Sequence, residues 1–126
     1  MKRLIFDLDG TLTFDQPGTD YSLRSPRLDI IDRLKYYKSI GFVIVIMTAR
    51  NMQTHKNSIG IINAKTLPNI IEWLNRHEIP YDEIHVGKPW CGTQGFYIDD
   101  KAIRPDEFTN LSYEQIRLLI NIDEDS

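Results

Sequence analysis

Two rhythms of apolar residues run along the chain. Leu4, Ile5 and Phe6, the run 42–47, the segment 84–86 and the run 95–98 are short apolar stretches. They are too short for helices and read as strands, the first two buried on both faces as in a parallel sheet. Between them apolar residues recur at helical spacing. Leu28, Ile31 and Leu34 predict a helix with Ser25 as its cap, Pro26 at its first position and Gly41 at its end. Leu67, Ile70, Ile71 and Leu74 predict a second helix over 66–77, closed by Pro80, with Trp73 in the core. Ser112 and Gln115 form a capping box for a last helix carrying Ile116, Leu119 and Ile120.

Two polar stretches interrupt this pattern. Residues 12–25 hold the breakers Gln16-Pro17-Gly18 and Ser25-Pro26 and read as a flap-sized loop or small hairpin. Residues 51–63, polar as far as Ser58 and then Ile59-Gly60-Ile61-Ile62, read as an ordered loop. The acidic tail 123–126 is expected to fray. No internal repeat or low-complexity segment is present.

The order strand, helix, strand, helix, strand, strand, helix predicts an α/β fold. It is expected to be a three-layer, Rossmann-like sandwich with a mainly parallel sheet and right-handed crossovers. At 126 residues the chain is expected to be a single domain over 1–126, too small for a cap domain. Its formal net charge of -3, with the basic residues scattered, argues against a nucleic-acid partner. No apolar run approaches the ~20 residues that span a bilayer, and the N-terminus lacks a signal-peptide pattern, so no membrane and a cytoplasmic location are expected. Cys91 is the one cysteine, which fits a reducing compartment.

In a parallel sheet all strand ends face the same way, and ligands bind there. The residues just past the expected ends are Asp7 and Asp9, then Thr48, then Lys88, then Asp99 and Asp100. Residues two apart in extended backbone point to the same side, so Asp7 and Asp9 converge. Two carboxylates that close need a cation, a proton or hydrogen-bond donors, and a divalent metal is the natural candidate. Gly10 permits the tight turn that follows. Carboxylates, a hydroxyl and an ammonium over one sheet edge are what metal-assisted phosphoryl transfer requires.

Asp-Leu-Asp-Gly-Thr at 7–11, Thr48, Lys88 and Asp99-Asp100 together resemble the four ordered motifs of haloacid-dehalogenase superfamily phosphatases. Gly87-Lys88-Pro89-Trp90 and the stretch 95–105 are further similar to a capless subgroup associated with capsular polysaccharide biosynthesis. The resemblance implies a Mg²⁺-dependent hydrolase acting on a phosphate monoester, with a sugar phosphate suggested by the subgroup. Asp7 would be the nucleophile that becomes an aspartyl phosphate, and Asp9 the general acid and base. Thr48 would hold a phosphoryl oxygen and Lys88 would neutralise charge. Mg²⁺ would take the Asp7 carboxylate, the Asp9 main-chain carbonyl, Asp100 directly with Asp99 behind it, and waters.

Other residues read more plainly. His55, His77 and His85 lack ligand spacing and are taken as structural. Arg50 is either a contact for a substrate's anionic group or a surface residue, and Trp90 could border the substrate. The competing function is a phosphoacceptor module of the receiver type, but such a module carries its phosphorylated aspartate after a middle strand, where this chain has Thr48. With no cap to exclude water, a homo-oligomer is expected, its partner supplying the missing wall.

Overall fold

β1 (Arg3–Phe6) pairs in parallel with β2 (Val43–Thr48), and β2 pairs in parallel with β3 (Glu83–Val86), giving the sheet order β1-β2-β3. The structure is a computed structural model and describes residues 1–123, so the expected fraying of 124–126 lies outside the described residues. By its contacts the chain divides into two compact units, residues 2–90 and the stretch from Cys91 onward together with Met1. Among the described residues no helix is long and apolar enough to cross a membrane.

The first unit has a Rossmann-like α/β fold. Ile44, Val45 and Ile46 of the central strand are all buried, as a doubly covered parallel strand demands. β1 departs from the expectation of burial on both faces, because Leu4 is only half-buried and Ile5 is exposed on this outer strand. Asp82 locks β2 to the approach of β3. Its N–H donates to the Ile44 carbonyl (2.8 Å), and its Oδ2 accepts from the Ile44 N–H (2.8 Å) and from Lys38 Nζ (2.7 Å).

α1 (Leu28–Ser39) buries Ile30, Ile31, Leu34 and Tyr37, while Leu28, expected on the apolar face, is exposed. Ser25 does not cap it. The Ser25 carbonyl accepts from Phe14 N–H and its own N–H donates to Gln16 Oε1, so both its backbone groups close the 12–25 loop instead. Thr13 bridges antiparallel to Pro26 at the base of that loop, which makes it a small hairpin with a 3₁₀ turn at Tyr21–Leu23.

Residues 51–57 form turns, but the rest of the expected loop is a helix, α2 (Ile59–Lys65), capped by Ser58 accepting from Ile61 N–H at 3.3 Å. An isolated helix of one or two turns is unstable, and α2 exists because it packs on its neighbours. Its Ile62 is fully buried, and it lies against α3 (Leu67–Arg76) and β3. Gly87, with φ +86°, follows β3, and a Cβ there would stand 2.9 Å from Ile59 Cδ1. A side chain at Gly87 would oblige the exposed Ile59 side chain at the start of α2 to turn aside. α3 buries Ile70, Trp73 and Leu74, each aliphatic contributing about 1.5–3 kcal/mol of transfer free energy. The helix stops before Pro80 is reached, at a turn where Glu78 takes φ +56°.

α3 also fastens the hairpin loop. Trp73 Nε1 donates to the Arg24 carbonyl (3.0 Å) and Arg76 Nη2 to the Ser22 carbonyl (2.6 Å).

In the second unit, residues 95–98 are not a strand, contrary to the sequence pattern. The sheet of the described residues has three strands, and Phe96 and Ile98 are exposed. Gly95 closes a turn on Cys91 so tight that a Cβ would stand 2.1 Å from the Cys91 carbonyl oxygen. Asp99 and Asp100 therefore do not end a strand, and Asp99 Oδ1 accepts from Lys101 N–H at 2.9 Å. α4 (Pro105–Asn110), absent from the sequence reading, starts with Glu107 Oε1 accepting the Arg104 N–H (2.8 Å). α5 (Tyr113–Leu119) has the expected box, with Ser112 Oγ accepting from Gln115 N–H (3.2 Å) and Gln115 Oε1 from Ser112 N–H (2.9 Å). Ile116 is buried, whereas Leu119 is exposed.

Candidate active site

The turn after β1 wraps around one carbonyl. Leu8, with no exposed surface, is the plug, and its oxygen accepts from the N–H groups of Thr11 (3.3 Å), Leu12 (2.9 Å) and Thr13 (3.0 Å). Gly10 takes φ +81° to make this possible. The two residues flanking Leu8, Asp7 and Asp9, are thereby held at the sheet's carboxyl edge.

Asp7 follows β1 directly, and about two-fifths of its side chain reaches solvent (41% exposed). Lys88, two residues past β3, places Nζ 3.8 Å from Asp7 Oδ1. Partial burial raises the Asp7 carboxyl above its ordinary value, and the neighbouring Asp9 adds to this. Lys88, the Leu8 N–H and the Thr11 hydroxyl oppose it. Thr48 ends β2 between these strands and is buried. Its Oγ1 accepts from Arg50 N–H at 3.0 Å, and its carbonyl accepts from Lys88 N–H at 3.1 Å. The hydroxyl proton of Thr48 is thus left to donate to another oxygen.

Asp9 is gripped by arginine. Arg50, buried to 6% exposure, donates from Nε to Oδ2 (3.0 Å) and from Nη2 to Oδ1 (2.8 Å), a two-pronged fork. Arg24 adds Nη1 to Oδ1 at 3.4 Å. Both guanidiniums lie over the Tyr21 ring, at 4.2 Å for Arg50 and 4.3 Å for Arg24. Arg50 is therefore neither on the surface nor unoccupied, and its fixed partner is a carboxylate of the chain itself.

The structure brings Asp7, Asp9, Thr48 and Lys88 to one edge of the first unit, while Asp99 and Asp100 belong to the second. His77 packs on Trp73 at 4.6 Å, and burial and Arg76 lower its affinity for a proton. His85, exposed on β3, pairs with Glu83 at 3.0 Å. Trp90 is partly exposed at the end of the first unit.

The oxygens here suit a hard cation. Both carboxylate oxygens of Asp9 are taken by guanidinium groups, but among the described residues no donor is bonded to its main-chain carbonyl. The half-exposed Asp7 carboxylate lies beside it, and carboxylate, carbonyl and water oxygens are the ligands Mg²⁺ prefers. Among the described residues no cluster of three or more His, Cys, Asp or Glu side chains is present.

Thr11, Arg24 and Tyr21 carried no role in the sequence reading. Thr11 stood inside the Asp-Leu-Asp-Gly-Thr motif and could have been weighed there. Arg24 and Tyr21 sit in a polar loop and show no signal until the loop is folded.

A three-stranded parallel sheet with helices packed on it defines a Rossmann-like α/β protein. The chain is 56% identical to a target protein from Vibrio cholerae known by crystal structure. The two agree with a TM-score of 0.92, over 96% of this chain and 98% of that one. This chain and the Vibrio cholerae protein belong to one family. Family models give no match to the chain, nor do curated proteins.

Proposed function

We propose that the chain is a phosphatase of the haloacid-dehalogenase type, hydrolysing a small phosphate monoester through a phosphorylated Asp7. The observation that carries this reading is the pair Asp7 and Lys88, 3.8 Å apart across the ends of β1 and β3, with the Thr48 strand end between them. A carboxylate nucleophile, an ammonium and a hydroxyl donor are the parts that phosphoryl transfer uses.

An Asp7 oxygen attacks phosphorus and the bond to the substrate oxygen breaks, leaving an acyl phosphate on Asp7 and an alkoxide that takes up a proton. Water then attacks the same phosphorus and the Asp7–phosphorus bond breaks, restoring the carboxylate and releasing phosphate. Lys88 and the Thr48 hydroxyl offset charge on the transferring group. The Asp7 carboxylate and the Asp9 carbonyl would hold Mg²⁺, which when bound supplies charge neutralisation at the phosphoryl oxygens. Asp9 delivers and later removes the proton, and to do so its carboxylate must let go of the Arg50 fork. The sequence resemblance favours a sugar phosphate as substrate.

The test is phosphate release from a panel of monoesters with Mg²⁺, in wild type and Asp7→Asn. Continuous release that chelator and Asp7→Asn abolish, with folding intact, supports the reading. Uptake of a single equivalent of phosphate without release would favour a receiver module instead.

A further inference from the structure

The two arginines on Asp9 share a further partner. One carboxylate faces two guanidiniums, since Arg50 Nη2 and Arg24 Nη1 both reach Asp9 Oδ1, at 2.8 and 3.4 Å. Two cations that close repel each other, and with both side chains largely buried, salt and water screen them little. Asp15 offsets little of this, because it stands 3.9 Å from Arg24 and its side chain is exposed. Tyr21 adds what Asp15 does not. Both guanidinium carbons lie over its ring, Arg50 at 4.2 Å and Arg24 at 4.3 Å, and the face of an aromatic ring carries the negative potential that draws a cation.

The chain delivers this ring on a braced turn. Tyr21 opens the 3₁₀ turn Tyr21–Leu23, which Asp20 caps: its Oδ1 accepts from Ser22 N–H at 3.0 Å, and its carbonyl accepts from Leu23 N–H at 2.9 Å. The bonds from Trp73 and Arg76 to the Arg24 and Ser22 carbonyls fasten the same turn to α3. The backbone before and after Tyr21 is thus held independently of the two arginine side chains. Among the described residues the Tyr21 hydroxyl makes no hydrogen bond, so the ring face is the part of the side chain that this arrangement uses.

We infer that Tyr21 is a positioning residue for the proton-transfer step, acting on Asp9 through the planes of Arg50 and Arg24. The inference rests on the proposed phosphatase reading and adds to it a residue of the hairpin loop, outside the motifs at the strand ends. A guanidinium is planar, and stacking on a ring fixes the direction in which its N–H groups point. The Arg50 fork meets both Asp9 oxygens only while that plane is held. When Asp9 leaves the fork to carry a proton, the ring still partners both cations, so the fork stays set for its return.

The experiment compares wild type, Tyr21→Phe and Tyr21→Leu in two ways. On a monoester that wild type hydrolyses, Tyr21→Leu is expected to lower kcat about tenfold with KM changed less than about twofold, the pattern of a misplaced reacting group. Tyr21→Phe keeps the ring and should retain about half of kcat or more. Full activity in Tyr21→Leu overturns the inference. So does a loss that Tyr21→Phe shares or one that falls on KM, either of which makes Tyr21 a substrate contact. Without substrate, NMR of the Arg50 Nε–H reads the fork directly: its exchange with water should be about tenfold faster in Tyr21→Leu and unchanged in Tyr21→Phe. Equal exchange in the three proteins overturns the inference whatever the activity. Faster exchange in Tyr21→Leu, in a chain that hydrolyses no monoester, keeps the ring as the brace of the Asp9 fork while the phosphatase reading falls. Tyr21→Met, which also lacks a ring face, takes the place of Tyr21→Leu should that variant fail to fold.

Discussion

Arg50 holds Asp9 by a two-pronged fork, Nε to Oδ2 at 3.0 Å and Nη2 to Oδ1 at 2.8 Å, and this places a buried cation on the residue that the proposed mechanism needs as a proton carrier. Such a carboxylate accepts hydrogen bonds and gives no proton while the fork stays closed. Catalysis would therefore include a step in which Arg50 moves or is drawn aside.

The two residues should behave as one unit. Asp9→Asn is expected to lower kcat about 10²-fold or more, the scale of a positioned proton-transfer group. Arg50→Met opens the fork but also removes what positions the Asp9 carboxylate, so it should lower kcat as well, and the double variant should be little worse than the poorer single. A coupling energy of about 1–3 kcal/mol in the kinetic cycle is the expected result. Additive losses would separate Arg50 from the action of Asp9.

Lys88→Met should lower kcat by about 10²–10³-fold, as removal of an electrostatic stabiliser does, with a smaller change in KM. Lys88→Arg should recover part of the loss, since it keeps the charge and alters its geometry. Steady-state kinetics on any accepted monoester reads both, and unchanged kcat in Lys88→Met would remove Lys88 from the proposed chemistry.

Asp82 predicts an acid-sensitive fold. The Ile44 N–H, then Lys38, hold its carboxyl below the ordinary value in the folded chain. A group with a depressed folded value adds stability above its unfolded value, near pH 4, and that stability is lost as pH falls through the folded value. The urea midpoint of wild type should thus drop across this acidic window, and Asp82→Ala, already less stable at pH 7, should show a shallower drop. Parallel curves for the two proteins would contradict this.

Trp73→Phe keeps most of the buried ring and deletes the donor to the Arg24 carbonyl, so a loss of about 1–3 kcal/mol is expected from the unsatisfied oxygen. The loop it secures should loosen too. Faster proteolytic nicking around Pro17 and Gly18 at unchanged urea concentration would be its signature.

Much of the site was legible because its residues lie one or two positions beyond strands that the apolar runs mark. Asp7, Thr48 and Lys88 could be placed from β1, β2 and β3 alone. The run 95–98 is a short apolar stretch as β2 is, yet it forms no strand among the described residues, since a strand is made by its neighbour's ladder as much as by its own side chains. Helix α2 was hidden for the opposite reason. Gly60 and a short polar lead-in gave it weak local preference, and packing of Ile62 with the Ser58 cap supplied what propensity did not. The fork on Asp9 joins residues 41 positions apart, and no local pattern announces such a pair.

Gly87 stands one residue before Lys88 and in contact range of Ile59, where α2 begins. The bare α-carbon is a meeting point: the segment carrying Lys88 and the first turn of α2 come together on it. A side chain at Gly87 would therefore press on the first turn of α2 from a point one peptide away from Lys88, so the position of that helix and the placement of the ammonium are open to the same substitution.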